Sequence, residues 1–136
     1  MYDPELVRPM REEITRLGVQ ELLTPADVEA AVKKPGTTLL FVNSVCGCAA
    51  GGARPGLRLS LMHSKKPSQL VTVFAGMETA AVEKAREYFK PYRPSSPQIA
   101  LLKDGKLVKM IQRQDIEGKD PATIAKDLTD AFEKFC

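Results

Sequence analysis

The sequence has few of the residues that bind metals or build disulfide frameworks, with three cysteines and one histidine among 136 residues. A structural zinc site needs about four ligands. The available donors are Cys46, Cys48, His63 and Cys136, and only the first two are close in sequence. We therefore expect no resident metal. Three cysteines also argue against a structural disulfide framework, so the close pair indicates redox chemistry or transient binding of a soft metal or sulfur.

Long apolar runs are also missing. No stretch approaches the roughly 18–20 apolar residues that a membrane-spanning helix needs. Residues 1–18 contain acidic and basic side chains and no continuous apolar core, which is not typical of a signal peptide. These features predict a cytoplasmic protein with no membrane partner.

Acidic side chains are absent from residues 30–77, a stretch that contains six lysines and arginines. The net charge of the whole chain, +3, is too small by itself to indicate nucleic-acid binding. Two interpretations of the acid-free stretch stay open. Either a buried strand and helix exclude charge from it, or its positive field favours a cysteine thiolate and attracts anionic substrates.

Hydrophobic periodicity and capping residues predict alternating helices and strands. Helices are indicated at residues 4–17, 25–34, 49–61, 81–90 and 121–135, with a kink at Pro55 in the third. Strands are indicated at residues 37–45, 70–74, 98–102 and 106–111, the last two joined by the hairpin turn Asp104-Gly105.

This order predicts a single α/β domain over residues 1–136. We expect a mixed central sheet of about four strands, helices on both faces and extra N-terminal helices. The first three strands, joined by helical crossovers, should run parallel, and the hairpin should add one antiparallel strand.

The most informative segment is Cys46-Gly47-Cys48, which lies where the first predicted strand ends and a helix begins. Free backbone N–H groups and the positive end of a helix dipole stabilise a thiolate at such a position. Cys46, the outer residue, is the predicted nucleophile, and Cys48 the predicted resolving thiol. Gly47 permits the tight backbone that a disulfide between them demands.

The ring closed by a Cys-X-Cys disulfide is one residue shorter than that of Cys-X-X-Cys. Departures from relaxed disulfide geometry store strain, so ring size predicts a comparatively oxidising potential. The structural alternative is that both cysteines are buried and act as small hydrophobic side chains.

A second motif, Ser95-Ser96-Pro97, stands directly before the third predicted strand. This arrangement resembles the thioredoxin fold, in which a cis-proline opens a strand and faces the redox cysteines. The resemblance implies a cis Ser96–Pro97 bond and pairing of Ser96 backbone groups with an extended substrate. The alternative is that Pro97 starts an edge strand in trans.

The whole chain resembles the bacilliredoxin family more specifically. The likeness rests on residues 42–51 (Val-Asn-Ser-Val-Cys-Gly-Cys-Ala-Ala-Gly), on Ala53-Arg54-Pro55, on the opening Tyr2-Asp3-Pro4 and on Ser95-Ser96-Pro97. It implies an enzyme that removes bacillithiol, a low-molecular-weight thiol, from mixed disulfides on proteins. Weak disulfide-isomerase activity is also in character. No cofactor is expected to be tightly bound, and bacillithiol serves as co-substrate.

The resemblance also implies a mechanism. Cys46 attacks the bacillithiol sulfur of the mixed disulfide, and the target protein leaves as a thiol. A second bacillithiol, or Cys48, then removes the bacillithiol that is bonded to Cys46. Because bacillithiol carries malate carboxylates, Arg54 is the candidate residue for recruiting it. The alternative for Arg54 is a solvated helix residue.

Other functions remain open. Within the enzyme class the alternative is a protein disulfide isomerase or general thiol reductant, and outside it a non-catalytic carrier of soft metal or sulfur. We expect Cys136 to be a chance exposed thiol at the chain end, the alternatives being an intermolecular disulfide partner or an auxiliary redox thiol. We expect His63 to be a surface or helix-end residue.

Overall fold

The computed structural model describes all 136 residues, and several of its helices begin at the predicted caps. Asp3, Thr24 and Asp120 each precede a helix and accept a hydrogen bond from a backbone N–H of its first turn, at 2.9, 3.1 and 2.8 Å. A proline follows each cap, in the turn where its missing N–H is not needed.

The helices are α1 (Pro4–Thr15), α2 (Pro25–Val32), α3 (Arg54–Ser60), α4 (Thr79–Glu87), α5 (Arg113–Ile116) and α6 (Pro121–Phe135). The strands are β1 (Gln20–Glu21), β2 (Thr37–Asn43), β3 (Gln69–Phe74), β4 (Gln98–Lys103) and β5 (Lys106–Ile111). None of these helices combines the length and the hydropathy that a membrane span requires.

The five strands form one mixed sheet in the order β1-β3-β2-β4-β5. Strand β2 is central and runs parallel to β3, which runs parallel to β1. Strand β4 lies antiparallel to β2 on its other side, and β5 completes the hairpin with β4. The mixed α/β sheet expected from the sequence is therefore confirmed.

The sheet contains one short strand besides the four that the sequence indicated. This strand, β1, is only two residues long, so it is too short to show a periodicity. The direction of one strand was predicted wrongly. The strand at residues 98–103 is antiparallel to β2, not parallel. Helix α4 carries the chain away from the end of β3, and residues 88–97 then bring it back to the same end before β4 starts.

Helices cover both faces of the sheet, as expected, because β2 sends alternate side chains to opposite sides. Leu40 and Val42 pack with α2 and α4, while Leu39 and Phe41 pack with α3 and α6. All four side chains are fully buried. Burying a side chain of this size stabilises a fold by roughly 1.5–3 kcal/mol, so the strand that leads to Cys46 is held firmly on both faces.

The helix predicted over residues 49–61 is divided into two parts. Residues Ala49–Ala53 form a π-helical turn, and α3 follows directly. Pro55 lies in the first turn of α3 rather than inside a continuous helix, so the irregularity precedes it and the predicted kink at Pro55 is replaced by the π-turn. Gly56 lets α3 approach α6, because a Cβ there would lie 2.8 Å from Ile124 Cγ2.

Candidate active site

The Cys46–Cys48 pair lies just beyond the end of β2 and is joined by a disulfide, with 5.5 Å between the Cα atoms. Both cysteines are half-buried and Gly47 between them is exposed. A Cβ at Gly47 would meet no atom within 4 Å, and its φ is not positive. The oxidised backbone therefore shows no steric demand for glycine at this position.

The predicted junction between strand and helix is confirmed. The carbonyl oxygen of Cys46 accepts hydrogen bonds from the N–H groups of Ala49, at 3.0 Å, and Ala50, at 3.2 Å. Cys46 therefore stands at the N-terminal end of the helical segment formed by the π-turn and α3. The N–H of Cys46 itself donates to the hydroxyl of Ser44, at 3.2 Å.

Asn43, the last residue of β2, organises the turn that leads to the cysteines. Its side chain is 1 % exposed. Its Oδ1 accepts from the N–H of Ser44, at 2.9 Å, and its Nδ2 donates to the carbonyl of Met10 in α1, at 3.2 Å. The buried amide thus fixes the turn and attaches it to the N-terminal helix.

Arg54 is buried. The sequence suggested that it lies on the surface, either recruiting substrate carboxylates or simply solvated. It is 3 % exposed and lies at the start of α3, directly after the π-turn. Its Nη1 donates to the carbonyl of Ser44, at 2.7 Å, and to Asn43 Oδ1, at 3.0 Å, while Nε donates to Glu13 Oε1, at 3.1 Å. These contacts correct the expectation of direct substrate recruitment and make Arg54 a support for the site.

Ser96 and Pro97 lie beside the same turn, and the Ser96–Pro97 peptide bond is cis, as the resemblance implied. Gln98, the first residue of β4, pairs with Val42. The same antiparallel register, continued by one residue, places Pro97 opposite Asn43. The structure therefore brings Cys46, Cys48, Ser96 and Pro97 to one end of the sheet.

A polar network that the sequence patterns did not predict lies behind Pro97. Gln98 is fully buried, and its Nε2 donates to Gln112 Oε1, at 2.6 Å, and to the carbonyl of Arg93, at 3.2 Å. Ser95 Oγ donates to Gln112 Oε1, at 3.0 Å. This network fixes the loop of residues 88–97, which contains a second cis bond, Lys90–Pro91. The sequence feature that could have indicated this network is Gln98, a polar residue at the start of an otherwise apolar strand.

A groove of about 380 Å³ opens between this loop and α5. Its walls have no apolar side chains other than Pro94 and include Arg93, Gln112 and Arg113. Arg113 is paired with Glu117 at 2.5 Å and its Nη1 lies 3.5 Å from the Ser96 carbonyl. Arg93 is exposed and has no ion-pair partner.

Charged pairs elsewhere attach α1 to the sheet. Arg11 binds Glu78 and Glu21 and lies 5.1 Å from the ring centroid of Phe74. The hydrogen bond to Glu78 is the main reason that the pKa of Arg11 is raised above its ordinary value, with burial acting in the opposite direction.

His63 and Cys136 take no part in the site. His63 Nε2 lies 2.7 Å from Glu133 Oε1, and this hydrogen bond is the main cause of the lowered pKa of Glu133. Cys136 is an exposed free thiol after the end of α6. The residues of the protein include no group of three His, Cys, Asp or Glu side chains placed to hold a metal ion.

Comparison with known proteins gives a consistent family. A family model described as "Disulphide isomerase" matches residues 2–136. A protein named bacilliredoxin from Cytophaga hutchinsonii is 54 % identical over 135 residues, covering 99 % of this chain and 100 % of that protein. Bacilliredoxins of Bacillus cereus and Koribacter versatilis are 53 % and 49 % identical, covering 97 % and 100 % of this chain and 92 % and 94 % of those proteins.

Solved structures agree on the fold. Thioredoxin pre-protein from Schistosoma mansoni superposes with a TM-score of 0.58 at 17 % identity, covering 87 % of this chain and 98 % of that chain. Thioredoxin from Fasciola hepatica gives 0.57 at 16 % identity, covering 87 % and 100 %. The architecture is that of the thioredoxin fold.

Proposed function

This chain belongs to the bacilliredoxin family of thioredoxin-fold thiol–disulfide oxidoreductases, and we propose that its substrates are mixed disulfides between proteins and bacillithiol. The observation that carries the proposal is the Cys46–Cys48 disulfide, half-buried at the end of β2 and beside the cis Ser96–Pro97 bond. Two cysteines at a partly exposed turn can form a mixed disulfide with a substrate thiol and then release that thiol by forming their own disulfide.

The reaction runs through two exchanges. The Cys46 thiolate attacks the bacillithiol sulfur of the mixed disulfide, the protein sulfur leaves as a thiolate and takes a proton, and bacillithiol becomes bonded to Cys46. The Cys48 thiolate then attacks Cys46 Sγ, which forms the internal disulfide and releases bacillithiol. A second bacillithiol thiolate can instead attack the bacillithiol sulfur and release Cys46. Restoring the internal disulfide to two thiols takes two electrons and two protons from a thiol reductant.

Ser96 is suited to align the target. Its backbone N–H makes no hydrogen bond within the protein, while its carbonyl lies within reach of Arg113 only, at 3.5 Å. A free donor at the end of the sheet that carries the cysteine turn can pair with an extended segment of a protein substrate, as an added strand does at a sheet edge. Pro97, which is buried, keeps this donor next to the turn that holds the cysteines.

The polar groove between the 88–97 loop and α5 is the proposed place for the malate carboxylates of bacillithiol, since Arg54 is buried. Arg93 offers an unpaired guanidinium there, and Arg113 a second one that is shared with Glu117. Guanidinium groups bind carboxylates through two parallel hydrogen bonds. A groove of about 380 Å³ is large enough for a small polar ligand.

The second candidate is disulfide isomerisation, which the description of the matching family model favours. One experiment separates the two candidates: initial rates with a single-cysteine reporter protein carrying bacillithiol, with the same reporter carrying 2-mercaptoethanol, and with a protein of scrambled disulfides. Faster turnover of the bacillithiol adduct than of the neutral adduct supports the proposed function. If both adducts are removed equally slowly while the scrambled protein is rearranged efficiently, the protein is a disulfide isomerase instead.

A further inference from the structure

We propose that Arg54 is a positioning residue for Cys46: it holds the turn before the nucleophile in place and supplies the positive charge that favours its thiolate, while Glu13 of α1 moderates that charge. The inference rests on the proposed function only in taking Cys46 as the attacking thiol. Through Glu13, the N-terminal helix α1 would then influence the ionisation of Cys46.

Two hydrogen bonds to different atoms of Ser44 form a path from the guanidinium to the backbone of the nucleophile. Arg54 Nη1 donates to the carbonyl of Ser44, at 2.7 Å, and to Asn43 Oδ1, at 3.0 Å. Ser44 accepts the N–H of Cys46 through its hydroxyl, at 3.2 Å. Because Asn43 and Ser44 are themselves buried, the path leaves the backbone before Cys46 little freedom.

The charge of Arg54 is buried and only weakly compensated. The residue is 3 % exposed, and its one carboxylate partner, Glu13, has 41 % of its side chain exposed to solvent. The remaining terminal nitrogen, Nη2, makes no hydrogen bond within the protein and is not fully buried, so only solvent can accept from it. A cation that is poorly neutralised in a low-dielectric surrounding stabilises a nearby anion more strongly than a surface cation does.

Other charged groups near the cysteine turn are either bound to partners or exposed. The elements packed around the turn contribute Arg11, Glu78, Arg93, Arg113, Asp115, Glu117 and Lys119. Arg11 is bound by Glu78, Arg113 by Glu117, and the Asp115 carboxylate accepts the N–H of Gln112. Arg93 and Lys119 are exposed, where solvent and salt screen their fields. Arg54 is therefore the buried cation that contacts the turn before the nucleophile.

The chemical step is simple. A dithiol reductant such as dithiothreitol gives two electrons and two protons to the Cys46–Cys48 disulfide and becomes a disulfide itself. The Cys46 thiol then loses its proton to water, and the negative charge develops on Cys46 Sγ beside the turn that Arg54 holds.

The test measures thiolate formation directly and needs no bacillithiol. In a Cys48→Ser, Cys136→Ser background Cys46 is the one remaining thiol, and its ionisation is followed by absorbance near 240 nm and by the pH dependence of alkylation with iodoacetamide. Arg54→Met should raise the midpoint of thiolate formation by about 1 pH unit, and Arg54→Lys, which keeps the charge but loses the planar fork, by less.

Glu13→Gln should shift the midpoint of thiolate formation in the direction opposite to Arg54→Met, which a merely structural role of Arg54 would not produce. Removing the carboxylate leaves the Arg54 charge less compensated, so the midpoint should fall, by about half a unit or less because Glu13 is partly solvated. The matched control is Glu12→Gln, an exposed neighbour on α1 that pairs with Arg16, and it should leave the midpoint unchanged.

Circular dichroism checks the fold of each variant. If Arg54→Met does not fold, the comparison of Glu13→Gln with Glu12→Gln decides. A Glu13→Gln midpoint that equals the Glu12→Gln midpoint or lies above it would overturn the inference. Shifts in the expected directions in a protein that nevertheless fails to accept bacillithiol would leave the inference standing and refute the proposed substrate.

Discussion

The guanidinium of Arg11 is bound by both carboxylate oxygens of Glu78, with Nη1–Oε1 at 2.8 Å and Nη2–Oε2 at 2.7 Å. The pair joins α1 to the residue that precedes α4, across the end of β3, and leaves only 20 % and 16 % of the two side chains exposed. Together with Arg54 and Glu13, it makes α1 an integral part of the end of the sheet that carries the cysteines.

A double-mutant cycle with Arg11→Met and Glu78→Gln should therefore give a coupling free energy of about 1–2 kcal/mol in chemical unfolding, because a bidentate charged pair is largely shielded from water. The control is Arg8 and Glu5, an ion pair of the same helix that has 60 % and 67 % of its side chains exposed. That cycle should give less than about 0.5 kcal/mol. Equal couplings would contradict the anchoring role of Arg11.

Gly56→Ala should destabilise the protein, because the added methyl group would lie 2.8 Å from Ile124 Cγ2 and 3.3 Å from the carbonyl oxygen of Pro121. Overpacking of this kind costs about 1–3 kcal/mol. Gly51→Ala, in the π-turn, would meet no atom within 4 Å and is the control. Urea unfolding measures both. A Gly56→Ala protein as stable as the Gly51→Ala protein would show that α3 and α6 can separate without cost.

The N-cap of α6 should give a pH-dependent stability. The pKa of Asp120 lies below its ordinary value near 3.8, mainly because Thr123 donates hydrogen bonds to the carboxylate. Stability from this group is fully present above the unfolded value and is lost as the pH falls through the folded value. Asp120→Ala should therefore lower the melting temperature at pH 7, and the difference should shrink below about pH 4.

The pH dependence also tests whether the ionised form of Asp120 caps α6. If the melting difference between wild type and Asp120→Ala were the same at pH 3 and pH 7, the ionised carboxylate would not be the form that caps α6. Asp120→Asn, which keeps an acceptor oxygen without a charge, should remove most of the pH dependence while keeping part of the stability.

Charge in the polar groove should affect substrate affinity rather than folding. Replacing Arg93 or Arg113 by Gln should raise KM for a bacillithiol mixed disulfide by about 3–10-fold, a loss of about 1 kcal/mol that is typical of a partly exposed carboxylate contact. KM for the neutral 2-mercaptoethanol adduct should not change. Lys126→Gln, an exposed lysine of α6 paired with Asp130, is the control. Parallel changes for both adducts would remove the groove from carboxylate binding.

Much of this arrangement could be predicted from the sequence because it follows from local patterns. The run of apolar residues before Cys46 predicts a buried strand, and a proline directly before an apolar run places Pro97 at the start of β4. The cis bond followed from the resemblance to the thioredoxin fold and is confirmed.

What the sequence could not predict depends on contacts between distant residues. The buried Arg54 binds Glu13, which is 41 positions away in the chain, and directly follows a π-turn that no sequence pattern indicated. The sequence suggested that Arg54 either recruits substrate carboxylates or is solvated. Its side chain is instead buried, and its carboxylate partner, Glu13, belongs to another helix. The antiparallel direction of β4 likewise depends on how the loop of residues 88–97 folds back.

The most direct test of the central claim is intact-mass analysis of where bacillithiol goes. Reduced protein in a Cys136→Ser background, with Cys48→Ser or Cys46→Ser added, is mixed with a bacillithiolated reporter protein, and adducts are mapped by peptide mass. If Cys46 is the attacking thiol, bacillithiol is trapped on Cys46 in the Cys48→Ser protein, with release of one reporter thiol per adduct, and the Cys46→Ser protein is inert. An adduct on Cys48 in the Cys46→Ser protein, or no adduct on either, would contradict that role of Cys46.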